Sequence, residues 1–275
     1  MTAARAGRAA VHALLVLLIV LSLFPFLFML VTSLKSGEQF AHAYFAPAFP
    51  LQWGNYAEAW TQVGRYFLNS ISVTVVCVTA GLAFAGFAAY AFARYRFPGS
   101  GVLYAGVLVV LLVPGVLTLI PTFVILRDLG MLGSHRALYA VYVTESLALG
   151  ILVLRGFFAS VPEELLEAAA LDGAGDLRTA ARVVLPLTRA AFLTVAIMDT
   201  LACWNDYLWP LIVLPDERLW TISRGLVAFR DRYAGMSAWG PLFAGFMVAS
   251  VPLLVLFLAG TRQFVSGITS GAVKI

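Results

Sequence analysis

Residues 155–190 read RGFFASVPEELLEAAALDGAGDLRTAARVVLPLTRA, a polar stretch with long apolar runs on both sides. Ser160, with Glu163 three residues on, fits a capping box, and Pro162 suits a first helical turn. Helix formers then run from Glu163 to Leu171, and Gly173 is a natural stop. Asp176 is placed to cap a second short helix, which should end before Pro186. The pattern predicts a helix–turn–helix lying in water, acidic at its start and rich in alanine along its length. Such a shape suits a groove on another protein; an ordinary amphipathic loop at a lipid surface is the plainer alternative.

The flanking runs decide the class. Of 275 residues, 61% are hydrophobic and 12% are charged, with a mean hydropathy of +0.92. Soluble domains carry about 25% charged residues, and one core of this size could not bury so much apolar side chain. A soluble enzyme, a disordered regulator and a disulfide scaffold are excluded. A helix needs about 20 apolar residues to cross a bilayer. Six segments meet that need: 11–34, 67–92, 102–126, 137–154, 191–211 and 239–260. Runs this long exclude the short alternating strands of a barrel. The expected fold class is an all-α integral membrane protein, a single domain over 1–275.

Arg5 and Arg8 precede the first run, and Ala41-His42-Ala43 mimics a signal cleavage site. The run is too long and the mimic too distant, so it reads as an uncleaved first helix with the amino terminus inside. That orientation puts ten of the eighteen Lys and Arg residues on inner segments, a weak excess. The short turn Arg94-Tyr95-Arg96 is the most informative piece and favours the inside. Small residues crowd the second run (Ala80, Gly81, Ala83, Ala85, Gly86, Ala88 and Ala89) and predict a close helix–helix interface. Pro114 and Pro121 should bend or unwind the third.

Little in the sequence points to catalysis. Cys77 and Cys203 fall inside apolar runs and read as small core residues. His12, His42 and His135 are isolated, no metal-ligand spacing occurs, and no glycine-rich phosphate loop is present. The basic residues are scattered between spans like topology signals, unlike a nucleic-acid footprint. Glu145, Asp199 and Asp206, with the neighbouring Asn205, lie in or near the ends of spans. An acid at mid-bilayer costs about 2.5–3.5 kcal/mol on insertion scales, so it faces a cavity or a partner. Either a path-lining role or a helix–helix contact fits Glu145 and Asp199; structural and gating roles both fit Asp206. The aromatics Trp204, Tyr207 and Trp209 read more simply as an interfacial belt than as a sugar platform. Segment 215–238 is too polar to span and is either a docking loop or merely solvated.

Several motifs together resemble a known family. Glu167-Ala168-Ala169, three residues, Gly173, nine residues, then Val183-Val184-Leu185-Pro186 resembles the EAA loop of ABC importer permeases. Thr32-Ser33-Leu34-Lys35, Asn69-Ser70, and Ala89-Tyr90-Ala91-Phe92-Ala93-Arg94 with Phe97-Pro98-Gly99 are similar to the maltose-type subfamily. So are Trp204-Asn205-Asp206-Tyr207-Leu208-Trp209-Pro210 and the tail Gly271-Ala272-Val273-Lys274. The resemblance implies the type I permease fold, with six helices and a cytoplasmic coupling helix over 163–171. It implies ATPase-coupling roles for Glu163, Glu164, Glu167, Ala168, Ala169, Asp172, Gly173, Leu185 and Pro186, with Glu167 as the charged contact. Glu145, Asp199, Asn205 and Asp206 are the candidate substrate-path residues, and Glu145 and Asp199 depart from the family pattern. The fourth run also lacks an expected proline.

The implied partners are a second, non-identical permease, two copies of an ATP-binding cassette ATPase, an extracytoplasmic solute-binding protein and membrane lipid, with no nucleic acid. The tail 263–275 would reach between the ATPases, and segment 215–238 would touch the binding protein. No cofactor is implied on this chain; ATP and Mg belong to the partner ATPase. The implied location is a bacterial or archaeal cytoplasmic membrane, with both termini cytoplasmic. The implied cargo is a sugar or sugar-like solute: oligosaccharides, glycosides and glycerol-phosphate compounds all fit. An ion-coupled carrier using Glu145 and Asp199 is the alternative, although six helices without an internal repeat and an EAA-type loop argue against it. A membrane enzyme lacks a catalytic set.

Overall fold

The computed structural model describes residues 2–233 and 238–272, with side chains described over 7–8, 10–233 and 238–260. Its elements in order are α1 (Thr2–Ser33), α2 (Gly37–His42), α3 (Gly54–Arg94), α4 (Ser100–Val110), α5 (Gly115–Asp128), α6 (His135–Ala159), α7 (Glu163–Leu171), α8 (Asp176–Thr179), a π-helical turn (Ala180–Val184) and α9 (Leu185–Leu187). There follow α10 (Arg189–Asn205), α11 (Leu208–Val213), a 3-10 turn (Glu217–Leu219), α12 (Ile222–Tyr233) and α13 (Trp239–Ala272). The chain divides into two compact units. One comprises Met1–Arg65 with Gly225–Val251, the other Tyr66–Arg224 with Pro252–Ile275.

Among the described residues, four helical stretches are unbroken, long and apolar enough to cross a bilayer: Ala10–Ser33, Gly54–Arg94, His135–Ala159 and Trp239–Gly260. Two further spans are bent pairs, so the count reaches six when each pair is one crossing. The 102–126 run is the first of these: α4 and α5 meet at 102°. Pro114 has no N–H to continue the ladder and instead starts α5 at its N-cap. Pro121 lies inside α5, which runs through it without a break. The second pair joins 176–187 to α10 at 78°, with the bend at Thr188. Pro186 leaves the carbonyl four residues earlier without a donor, and a π-turn precedes it over Ala180–Val184. The second short helix therefore does not stop before Pro186, as the sequence pattern has it, but widens and runs through it. Beyond α10 the 191–211 run breaks again at Asp206 and Tyr207.

Within the unit Tyr66–Arg224 one face of α3 is buried: Ser70, Val73, Thr74, Cys77, Gly81, Ala85 and Ala89. The steps of three and four are those of one helix face. A Cβ on Gly81 would collide with the Ser146 hydroxyl of α6, and one on Gly150 would lie 2.8 Å from the Ala85 methyl. Of the small residues counted in this run, Gly81, Ala85 and Ala89 make the interface, whereas Ala83 is exposed. In lipid no hydrophobic effect drives helices together, so close backbone approach through small residues supplies the contact. Leu154, Phe158, Val184, Ala191 and Val195 complete the packing at one end of this interface. Val73, Val141, Trp209, Val213 and Leu214 complete it at the other.

The Asn69-Ser70 motif has a structural use in the same unit. Asn69 Nδ2 donates to the carbonyls of Arg218 and Trp220 at 2.9 Å each. Ser70 Oγ accepts the Ile222 N–H at 2.8 Å. Tyr66 donates its hydroxyl to Glu217. Arg224 donates to the carbonyls of Pro210, Leu211 and Leu214 and lies 4.2 Å over the Trp220 ring. The beginning of the polar 215–238 segment is thus tied into the unit; Ala234–Ser237 lie outside the described residues.

In the unit Met1–Arg65 with Gly225–Val251, the Thr32-Ser33-Leu34-Lys35 motif forms a polar knot. Lys35 is fully buried and donates to the carbonyls of Ala43 (2.6 Å) and Tyr44 (3.1 Å); burial pushes its ammonium pKa down. Asn55 Nδ2 donates to the Ser33 and Lys35 carbonyls, and the Ser33 hydroxyl bonds Tyr56 at 2.8 Å. Along α1, Val11, Leu14, Leu18 and Leu21 are each at least half exposed, as expected of a helix facing lipid. The tail motif 271–274 lies outside the residues whose side chains are described.

Gly81→Leu should cost about 1–3 kcal/mol through overpacking and should lower the amount of folded protein extracted in mild detergent. Gly106→Leu, where a Cβ meets nothing within 4 Å, should leave that amount unchanged; size-exclusion profiles of the two variants make the comparison.

Candidate functional site

The 155–190 loop forms at one end of the unit Tyr66–Arg224. The helix α7 spans Glu163–Leu171, the range the sequence pattern gives. Its start differs from that pattern. Pro162 is the N-cap and has no side-chain hydrogen bond, while Ser160 Oγ donates back to Phe157 O at 2.8 Å. No capping box forms, because Ser160 still belongs to the end of α6, where its hydroxyl finds a nearer carbonyl. Asp176 is the first residue of α8 rather than its cap, which is Gly175. Gly173 has φ +78°, a left-handed conformation that L side chains adopt at a cost. Its N–H bonds the Ala170 carbonyl, and Ala174 N–H bonds that of Ala169, closing the helix end.

Three side chains join this loop to the membrane helices. Arg94, the last residue of α3, donates to the carbonyls of Phe158 (2.5 Å) and Val161 (3.3 Å). Arg155 sits 4.1 Å over the Tyr104 ring and donates to Phe92 O at 3.4 Å. The Tyr95 hydroxyl donates to Asp176 Oδ2 at 2.6 Å. That hydrogen bond to a carboxylate raises the Tyr95 pKa to about 12. A cleft of about 670 Å³ lies between the 94–100 turn and the loop, with Arg94, Arg96 and Arg155 facing Glu163, Glu167 and Asp176 across it.

Inside the open cleft and outside it, α7 is largely uncovered. Glu163, Glu164, Glu167, Ala168 and Asp172 are exposed, and Ala169 is half-buried. Among the described residues the carboxylates of Glu163, Glu164, Glu167 and Asp172 take part in no hydrogen bond or ion pair. Leu171 is 90% exposed and Leu177 77%, an apolar surface that water does not favour. Leu185 and Pro186 are exposed as well, on the stretch that leads to the Thr188 bend.

A second group lies among the spans. Tyr142, Glu145, Ser146 and Leu149 on α6 share one helix face with spacing three, four and seven. So do Asp199, Ala202 and Cys203 on α10. They meet, with Cys77 and Met198, around a cavity of about 250 Å³. An adjoining cavity of about 480 Å³ shares Tyr142, Glu145 and Ala202 and adds Asn205 and Asp206. All four path candidates, Glu145, Asp199, Asn205 and Asp206, therefore line two neighbouring cavities. Their bonding differs. Asp206 accepts the Tyr142 hydroxyl at 2.6 Å and the N–H groups of Leu208 and Trp209 at 2.9 and 3.3 Å. Asp206 is the C-cap of α10, and its carboxylate holds the first two N–H groups of α11, whose N-cap is Tyr207. Asn205 donates back to Leu201 O. Glu145 is exposed and, among the described residues, accepts only the Trp209 indole N–H, at 3.3 Å. Asp199 Oδ2 is buried with no partner.

The belt reading is corrected for Trp204 and Trp209, while Tyr207 is exposed. Trp204 is 3% exposed and Trp209 7%; Trp204 meets Phe67 edge-on and Trp209 serves Glu145. Rings this buried are core and site residues, because the polar break after Asn205 turns them inward. The cysteines are buried, as read from the sequence, but they also line the smaller cavity. The helical spacing just given was the available signal. Among the described residues no three His, Cys, Asp or Glu side chains form a metal-holding group.

Residues 81–269 match the family of binding-protein-dependent transport system inner membrane components. The chain is 33% identical over 265 residues to the diacetylchitobiose uptake system permease protein of Streptomyces coelicolor, covering 96% of this chain and 88% of that one. It is 29% identical to the melibiose/raffinose/stachyose import permease protein of Bacillus subtilis, over the whole of both chains. A chain of a bacterial ABC transporter involved in the import of the acidic polysaccharide alginate superposes with a TM-score of 0.79 at 22% identity, covering 94% of this chain and 97% of that one.

Asp176→Asn should bring the Tyr95 phenol back from about 12 toward its ordinary value near 10. Because the pKa is raised by folding, the bond's contribution is fully present below pH 10 and is lost as pH rises through 12. Phenolate absorbance, read as the difference between the protein and its Tyr95→Phe variant, makes the measurement; no change in Asp176→Asn would contradict the contact.

Proposed function

Because the chain belongs to the family of binding-protein-dependent transport system inner membrane components, we propose that it forms half of the solute path of an ATP-driven sugar importer and takes its driving force through α7. It is a multi-pass membrane permease of the ABC importer type. The finer reading is that this chain pairs with a second permease over two ATP-binding cassette subunits and receives solute from an extracytoplasmic binding protein. ATP and Mg are used on the ATPase, and this chain catalyses no reaction. Both termini and the 155–190 loop lie in the cytoplasm, with the 94–99 turn at the same end.

One observation carries the coupling role. The acidic and alanine-rich surface of α7 is uncovered, while its base is tied to two spans through Arg94 and Arg155. A partner groove that pushes on Glu163, Glu164, Glu167, Ala168 and Asp172 moves a short, stiff lever. The motion reaches α6 through the loop's start and α10 through Leu185 and Pro186, at the Thr188 bend. Gly173 sets the angle between the two arms, since only glycine adopts φ +78° freely. The sugar assignment is supported by the uptake systems named above and by Glu145, Asp199, Asn205 and Asp206, which line the cavities between α6 and α10. A carboxylate accepts hydroxyl hydrogen bonds well, and Glu145 presents one on an exposed side of a membrane helix. Facing lipid there would cost it about 2.5–3.5 kcal/mol, so that side faces the path or the partner permease.

The coupling test is Gly173→Trp in cells. A bulky side chain at this position should leave the chain in the membrane, and still recovered with its ATPase, while uptake of the transporter's sugar falls to background. Wild-type uptake by that variant would overturn the coupling assignment. Gentle extraction of the tagged wild-type chain should recover a second permease and an ATPase; recovery of this chain alone, folded, would overturn the subunit reading.

A further inference from the structure

The smaller cavity between α3, α6 and α10 holds a charge problem that the permease role alone does not explain. Asp199 is 7% exposed, lines the cavity, and has a buried Oδ2 without a hydrogen-bond partner. No ion pair reaches it among the described residues. Glu145, on the same cavity, receives one long indole hydrogen bond. An unpaired carboxylate taken from water is strongly disfavoured until it meets a cation or a proton.

The neighbouring polar groups sharpen the requirement. The Tyr142 hydroxyl already donates to Asp206, and the Ser146 hydroxyl donates to Val143 O at 3.2 Å. Beside the Cys77 and Cys203 thiols, which bond each other, the polar atoms the lining offers are mainly acceptor oxygens, so the ligand must bring the donors. A metal ion is a poor fit, since the described acids, thiols and imidazoles form no group of three that could hold one. A protonated primary amine needs only acceptors, and it offers three N–H donors with one positive charge. The same two carboxylates repel an anionic solute.

We propose that the cavity lined by Glu145, Ser146 and Asp199 receives the protonated amino group of an amine-bearing sugar on its way through the transporter. The proposal rests on the permease reading above and narrows its substrate class. Asp199 forms the inner, buried contact, and Glu145 the outer one, where the two cavities adjoin. Hydroxyl groups of the same solute fall to Asn205 and to the free lone pairs of Glu145 in the larger cavity.

The test uses cells carrying the complete transporter, with this chain deleted and then restored as wild type or variant. The probes are radiolabelled glucosamine and N-acetylglucosamine, and the β-linked disaccharide of each. Acetylation removes the charge and keeps the ring. The wild-type chain should support faster uptake of the amine member of at least one pair. Asp199→Asn should lower that uptake about tenfold relative to the acetylated member. Should Asp199→Asn fail to assemble, Glu145→Gln, on an exposed side chain, decides: selective loss of amine uptake supports the proposal, and unchanged selectivity overturns it. Equal loss of both members in an assembled variant also overturns it, as does wild-type preference for the acetylated member. Chain-dependent uptake of the neutral sugars alone leaves the sugar-permease reading standing and removes only this proposal. Absence of chain-dependent uptake for every probe overturns this proposal, and the permease reading is then decided by the co-purification test above.

Discussion

The guanidinium of Arg94 donates to the carbonyls of Phe158 and Val161, at the end of α6 where the helical ladder runs out of donors. This contact fixes where a membrane helix stops and a water-exposed loop starts. Backbone carbonyls at a helix end near a bilayer have to find donors in the protein or in water, and a planar cation with several N–H groups can serve two at once. Arg155 repeats the pattern in the opposite direction, reaching from α6 to Phe92 O of α3. The two arginines cross-brace α3 and α6 at the level where α7 begins. Without that brace, force applied to α7 would swing the loop instead of moving the spans.

A brace of this kind works only if the helices above it are in close contact. Gly81, Ala85 and Gly150 provide that contact by removing side chain from the α3–α6 interface. The same closeness brings Asp199 within 3.7 Å of the Cβ that Gly81 lacks, so the small-residue face and the acidic cavity are parts of one arrangement. Moving α6 relative to α10 changes the shape of that cavity, because Glu145 and Ser146 are on one helix and Asp199 and Cys203 on the other. Coupling loop and candidate path are thereby linked through helices rather than through any single bond.

The sequence was most readable where local chemistry is self-sufficient. The formers between Glu163 and Leu171, with a glycine two residues beyond, specify a helix and its stop without outside help. Runs of apolar residues likewise specify spans. Legibility failed where tertiary partners choose among local options. Ser160 with Glu163 has a capping pattern, yet Ser160 is the C-cap of α6 and its hydroxyl bonds back to Phe157. Trp204 and Trp209 have the composition of an interfacial belt, and they turn inward because Asp206 interrupts the helix and recruits Tyr142. The acids at 145 and 199 could be flagged from their cost in a bilayer, but that they face one cavity depends on the register between α6 and α10, which no single-helix pattern contains.

In the coupling role proposed above, the exposed side of α7 seats the ATPase subunit and is the place where force enters this chain. Cross-linking tests it most directly: Glu167→Cys, in a variant with Cys77 and Cys203 replaced by Ala, is treated with a short thiol-to-amine reagent in membranes holding the complete transporter. A coupling helix seated on the ATPase should give a cross-linked product between the two chains, with yield changing when ATP is added. Efficient labelling of Glu167→Cys in a transporting complex, with no product to the ATPase in either state, would contradict it.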